Sequence, residues 1–337
     1  MKSNKLILLA LSGMLIACGQ TTSSTASSGA ASSGAASSSA ASSEAPYSLD
    51  LKVATPTGAP AVAFYRHLAD ESHLEVNSVP KNVLAYLSKD SDKDIVVAPT
   101  HGGVKACLAG APFKIAATLT FGNFYIAATG NDGNATLDAD DYVVAFQEND
   151  VPGKVFKYCY PELSNVHFLT GEKAAADAAT CLVTGKNSSD DNAAVDYVFV
   201  AEPSLTATLS KAPNASEYAS IREKFAAVSG GKKLTQASLF VRNDADQAKV
   251  RAFLASIKAD MASFLANPSV LEDAVKDLRA ADVQSKFNAT PAVLKNLTSN
   301  GNRMGLGYEE ALPNKEAIAN FVGIFGVNIT DETIFYQ

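Results

Sequence analysis

Two α/β lobes, each a mainly parallel sheet covered by helices, are what this sequence predicts. Three observations predict it. Short apolar runs rich in β-branched residues alternate with helical segments along most of the chain. Several of these runs end on small or polar residues at a helix start, as strands do at the ligand-binding rim of an open α/β sheet. The chain has 337 residues and 47% hydrophobic content, enough to bury the cores of two ordinary lobes.

The organising stretch is Asp94 to Asp132. Ile95-Val96-Val97-Ala98 suits a strand buried on both faces. Pro99, which has no N–H for a ladder, ends it. Thr100 stands where an N-cap hydroxyl would accept from a first-turn amide. His101-Gly102-Gly103 keeps the turn slim, Val104, Cys107 and Leu108 fall at helical spacing, and Gly110 is a helix stop. Two apolar strands follow, Ile115 to Thr120 and Phe124 to Thr129, parted by Gly122-Asn123.

Upstream, Leu49 to Ala54 reads as the first strand and leads into Thr55-Pro56-Thr57-Gly58-Ala59-Pro60. Pro60 suits the first turn of the helix that carries Val62, Phe64, Tyr65 and Leu68. Amide N–H groups at such a turn can face outward and receive a carboxylate, phosphate or sulfonate. The same residues also make a plain tight turn, and they lack the GxGxxG and GxxxxGK patterns. His73 to Val79 is the second strand and Lys81 to Leu87 a helix.

Gly133 to Asp141 is polar and turn-rich, so the first inter-lobe crossing is expected there. Then come strand Tyr142 to Phe146, the polar turn Gln147 to Gly153, helix Lys154 to Tyr160 and strand Val166 to Leu169. Thr170-Gly171-Glu172 opens an alanine-rich helix stopped by Gly185, and Asp196 to Ala201 is a strand ending in Glu202-Pro203. Leu234 to Arg242 reads as a strand returning to the first lobe, antiparallel to Phe124–Gly130 at a hinge. The remainder is helical, with Val250, Phe253, Leu254, Ile257 and Met261 on one face of Ala245 to Leu265. Arg303 to Tyr308 is a glycine-rich connection within reach of the cleft.

The first 18 residues read as a targeting signal. Lys2 and Lys5 form a positive n-region, and Leu6 to Ile16 is an apolar stretch too short to span a bilayer. Leu15-Ile16-Ala17-Cys18 matches a bacterial lipobox, so Cys18 is expected to carry a diacylglyceryl anchor. Thr21 to Ala45 is almost entirely Ser, Ala, Gly and Thr, a composition that buries no core. As a flexible tether of about 25 residues it holds a fold on the order of 25–30 Å from the membrane. The expected organisation is signal 1–18, tether 19–47, first part of lobe 1 48–132, lobe 2 133–234, and the rest of lobe 1 235–337. An extracytoplasmic, lipid-anchored location follows.

The formal charge is −7, and loss of Lys2 and Lys5 with the leader makes it more negative, which disfavours nucleic acid and anionic lipid as partners. With Cys18 lipidated, Cys107, Cys159 and Cys181 remain. These leave room for one disulfide, with Cys159–Cys181 the more plausible pair, or for three buried thiols. No CxxC or His-rich cluster suggests a metal, and no cofactor motif is present.

The lipobox, the tether, the TPTGAPA turn, DIVVAPTHGG, VDYVFVAEPSLT and the late QASLFVRND strand together resemble one family. It comprises the solute-binding lipoproteins of ABC importers in the nitrate, sulfonate, taurine and thiamine-precursor group. The resemblance covers roughly Leu49 to Gly326. It implies two Rossmann-like lobes joined by a two-crossing hinge, the periplasmic binding protein-like II fold, closing on a small-molecule solute. The implied partners are an ABC permease and the membrane through the anchor, with the protein a monomer. Carried over by position, Thr55, Thr57, Gly58, Ala59, Thr100 and His101 would contact the solute from lobe 1. Gly122, Asn123 and Tyr125 would line the floor. Gln147, Asn149, Thr170, Gly171 and Glu202 would contact it from lobe 2. The loop 147–153 lacks the family's glycine-serine run, and Thr100-His101 replaces its usual small residues.

Hydroxyls, amides and backbone N–H groups suit a polar solute, and aromatic rings cover its apolar part. Phe121, Phe124 and Tyr125 are either that cover or core strand residues. His101 is either a contact or a solvated loop residue. Glu202 is either a contact or latch, or a carboxylate on the amides of a helix start. A transport receptor without catalysis is the expected function: GxSxG and HExxH are absent and there are four histidines. The alternatives are a sensor or adhesion lipoprotein without a transporter, and an enzyme on the same scaffold, for which His101 with Glu202 is the available pair.

Overall fold

A computed structural model describes residues 48–132 and 136–337. The signal segment, Cys18 and the tether lie outside the described residues. The strands are β1 Val53–Pro56, β2 Leu74–Asn77, β3 Ile95–Pro99, β4 Phe113–Thr120, β5 Phe124–Ala128, β6 Val143–Phe146, β7 Val166–Leu169, β8 Lys186–Asn187, β9 Ala193–Ala194, β10 Tyr197–Ala201, β11 Ser216–Ser220, β12 Ala237–Arg242 and β13 Leu306–Glu310. The helices are α1 Ala59–Val62, α2 Pro80–Ala85, α3 Thr100–Leu108, α4 Val151–Cys159, α5 Ala174–Thr184, α6 Ser204–Leu209, α7 Ile221–Val228, α8 Gln247–Ala266, α9 Val270–Val275, α10 Ala280–Phe287, α11 Pro291–Ser299 and α12 Lys315–Gly323.

The first main sheet has the order β13-β4-β12-β3-β1-β2, and the second β11-β5-β10-β6-β7. In each sheet the parallel strands are sequential β-α units: β1, β2 and β3 in one, and β6, β7 and β10 in the other. Antiparallel strands complete both. Strand periodicity explains the packing. Ile95 and Val97 of β3 join the core beneath α1, α8 and the C-terminal helices, whereas Val96 and Ala98 face the opposite core with Val104 and Phe240. The glycines after His101 have a packing reason. A Cβ on Gly103 would lie 2.0 Å from the Phe240 ring, so only glycine lets α3 settle on the sheet.

Three expectations are corrected. β5 pairs antiparallel with β10 and β11, so Phe124–Ala128 belongs to the second sheet and not to the first. The chain therefore changes sheets at Phe121–Asn123, ahead of the 133–141 stretch. Gly122, at φ 100°, provides the left-handed turn. The expected hinge pair of β5 with β12 does not form, because β12 lies between β3 and β4. Two adjacent buried strands look alike in sequence whether or not they share a sheet, and the three residues between them carry no mark of which it is. Finally, Thr100 is not an N-cap. Pro99 occupies that position, and the Thr100 hydroxyl lies 2.8 Å from Ser238 Oγ, which in turn lies 3.1 Å from Thr118 Oγ1.

Cys107, Cys159 and Cys181 are all free and buried, so the Cys159–Cys181 bridge is absent. Burial pushes the Cys107 and Cys159 thiols up to about 12. None of the helices among the described residues is long and apolar enough to cross a membrane, and no His/Cys/Asp/Glu group there could hold a metal.

Candidate functional site

The carboxyl ends of β1, β3, β6 and β10 meet where the chain passes twice between the sheets, and a cavity of about 390 Å³ opens there. That volume suits a small organic solute, whose pockets run from roughly 300 to 1,000 Å³. Thr57, Gly58, Ala59, His101, Asn123, Gln147 and Glu202 lie in its lining, with Lys81, Thr120, Phe124, Asp150, Gln236 and Asn288. A second concavity of about 570 Å³ follows the outer edge strand β2. Its charges are paired with one another, Lys93 with Glu75 at 2.9 Å and Lys286 with Glu71 at 3.3 Å.

The floor is made by the two crossings. Gln236 Nε2 donates to Asn123 Oδ1 at 3.1 Å, and Asn123 N donates to Gln236 Oε1 at 3.3 Å. Asn123 also holds the second sheet: its Nδ2 donates to the Glu202 carbonyl at 2.7 Å, and Glu202 N returns a bond to its carbonyl at 2.8 Å. Gln236 holds the first, donating from its backbone to Thr120 O and accepting from Thr100 N. Phe124 closes one wall, its ring 5.2 Å from Phe199.

The turn after β1 differs from the anion seat its sequence allows. Thr57 N donates to Asn77 O at 3.0 Å and Gly58 N to Lys286 O at 3.1 Å, so both amides serve the fold. Glu202 is likewise engaged. Its side chain is fully buried, accepts from Thr206 N and Thr206 Oγ1, and pairs with Arg303 Nε at 2.6 Å. Arg303 reaches Glu217 with its other nitrogen, also at 2.6 Å, and lies 4.9 Å above the Tyr125 ring. The loop before β13 is thereby fastened to the second sheet.

Several expected contacts lie elsewhere. Thr55 and Thr100 are buried behind the cavity. Tyr125 lies under the crossings, its hydroxyl donating to Arg303 O at 2.8 Å; burial pushes its phenol up to about 12. Gly122 is packed against the C-terminal loop, where a Cβ on Gly305 would meet its carbonyl oxygen at 2.2 Å. Asn149 is exposed, and its neighbour Asp150 lines the cavity instead. Thr170 and Gly171 follow β7, the outermost strand, one strand spacing beyond β6 and outside the lining.

His101 lies in the first turn of α3 with its ring stacked on Phe325, centroids 4.1 Å apart. Burial holds its pKa below the usual value, with Asp150 pulling upward and Lys105 downward, so the ring is neutral near pH 7. Its Nδ1 is buried without a hydrogen-bond partner among the described residues, and so is Thr120 Oγ1 in the same lining.

No family model matches the chain, and no curated protein matches it. Solved structures do. An ABC transporter protein from Parabacteroides distasonis aligns at TM-score 0.65 and 16% identity, over 86% of this chain and 99% of that one. The periplasmic aliphatic sulphonate-binding protein of Escherichia coli aligns at 0.62 and 12%, over 85% and 92%. The ligand-binding component of an ABC-type import system from Staphylococcus aureus, with zinc bound, aligns at 0.56 and 13%, over 85% and 96%. A mutant of DszB in complex with biphenyl-2-sulfinic acid aligns at 0.52 and 10%, over 85% and 96%. The chain has the periplasmic binding protein fold that these solute-binding components share.

Proposed function

We propose that this protein is an extracytoplasmic solute-binding lipoprotein that captures a small polar molecule between its lobes and delivers it to an ABC permease. The observation that carries the reading is the cavity itself. It lies at the strand ends of two sheets, both chain crossings form its floor, and its lining is rich in amides and hydroxyls rather than a nucleophile with a base. Cys107, Cys159 and Cys181 are absent from that lining, and His101 is its one imidazole. Similarity of fold to solute-binding components of importers supports the same reading. In it, Cys18 carries the lipid, residues 19–47 are the tether, and the protein acts as a monomer. Lobe 1 carries the first sheet and lobe 2 the second.

A thermal-shift screen of small solutes tests it. A solute that binds only the folded form raises stability by RT ln(1 + [L]/Kd). The shift should vanish in the triple variant Thr57→Ala, His101→Ala, Gln147→Ala. Binding that survives in that variant would place the site elsewhere. Fold similarity to DszB keeps an enzyme on this scaffold as the second reading, which steady turnover of a bound compound would favour. For the anchor, Cys18→Ala should move the protein from the detergent phase to the aqueous phase in a partition assay. Unchanged partitioning would remove the lipoprotein assignment.

A further inference from the structure

Most polar groups around the cavity already have partners inside the chain. The Thr57 and Gly58 amides serve Asn77 and Lys286, and the Thr100 amide serves Gln236. Arg303 and Thr206 hold the Glu202 carboxylate. Asn123 and Gln236 bond each other. The donors that would surround a simple anion are thus largely occupied.

What remains is of both signs. Asp150 Oδ1 accepts from Val151 N at 2.8 Å, which fixes the carboxylate at the start of α4. Its Oδ2 accepts no hydrogen bond among the described residues. Lys81, in the first turn of α2 on the other lobe, makes no ion pair among the described residues and lines the same cavity. Both charges lie at the exposed mouth. Deeper in the lining, Thr120 is 1% exposed and its Oγ1 has no partner among the described residues. Leu84, Phe124, Val151 and five prolines add apolar wall, against which a solute of uncompensated charge is poorly placed.

We propose that the cavity selects a zwitterionic solute, its cationic nitrogen held by Asp150, its anionic group by Lys81, and a neutral polar atom by Thr120 Oγ1. The assignment rests on the solute-binding reading above. Neutral His101 suits it, since an imidazolium beside Asp150 would compete with the cation of the solute.

Titration calorimetry on the full chain tests it with probes matched in skeleton. These are the zwitterions β-alanine, 4-aminobutanoate and taurine; the anions propanoate, butanoate and ethanesulfonate; and the amines ethylamine, propylamine and butylamine. The expected result is that a zwitterion binds at least about tenfold more tightly than its matched anion and amine, the scale of one charge-assisted contact. Asp150→Asn and Lys81→Met should each remove about tenfold of that affinity. Anion binding as tight as that of the zwitterion, or unchanged affinity in Asp150→Asn, overturns the charge assignment and leaves solute binding intact. Thermal shifts produced by uncharged solutes alone do the same. A protein that responds to no small solute of any charge fails both readings.

Discussion

Asn123 and Gln236 grip each other through reciprocal amide bonds of 3.1 and 3.3 Å, one residue from each crossing between the sheets. Neither bond belongs to a sheet ladder: both need the Gln236 side chain, and the shorter one needs the Asn123 side chain as well. Replacing Gln236 by Ala should cost about 1–2 kcal/mol in urea denaturation, because Asn123 Oδ1 then loses its partner in a part-buried place. A double-mutant cycle with Asn123→Ala should show coupling of at least about 0.5 kcal/mol. Strict additivity of the two changes would contradict the pairing.

Arg303 is predicted to be among the more costly surface-reaching side chains to remove. Its side chain is 20% exposed while the Glu202 side chain is 0% exposed, so truncation strands a buried carboxylate. Arg303→Met should destabilise by about 3–5 kcal/mol. Adding Glu202→Gln should recover part of that loss, since the fully buried charge is then gone and Glu217, the other partner of Arg303, is partly exposed. A loss below about 1 kcal/mol in the single variant would show the pair to be incidental.

Gly103→Ala should destabilise by about 1–3 kcal/mol, since the added methyl meets the Phe240 ring. Gly323→Ala is the control. It lies in helix α12 with nothing within 4 Å of an added Cβ, and should be neutral or stabilising by up to about 1 kcal/mol. Equal effects at both positions would argue against the close approach of α3 to the sheet.

Stability should fall as pH drops below the ordinary histidine value of 6.5. Burial lowers the pKa of His101, so the unfolded chain takes up a proton there before the folded chain does. The loss should level off once folded His101 is protonated too. His67 is lowered by burial as well and adds in the same direction. Chemical denaturation between pH 7 and pH 5 should therefore show a shallower slope for His101→Gln than for the parent. In Asp150→Asn, which removes the group favouring protonation, the slope should steepen. A parent and His101→Gln with parallel profiles would refute this origin.

The sequence was most legible where pattern and chemistry are local. β7 is found at the predicted Val166–Leu169, and α5 stops at Gly185, which adopts φ 64°. The edge strand β11 and strand β13 carry no strand signature, because the first is polar and the second contains Gly307. Sheet membership of β5 was not legible, since its partners lie about 70 to 90 residues downstream and leave no local mark. In the site, the turns after β1, β3, β6 and β10 could be named, but not which atoms in them remain free. The orientation of Thr100 depends on Ser238, which is 138 residues away. Asp150 could have been found from its place before Val151-Pro152, an N-cap signature, whereas Lys81 and Asn288 carry no sequence signal of their own.

The amides that floor the cavity also tie the two sheets together. A change at Asn123 or Gln236 therefore alters the seam between the sheets along with the cavity floor, whereas Lys81 and Asp150 stand on rim turns outside that seam.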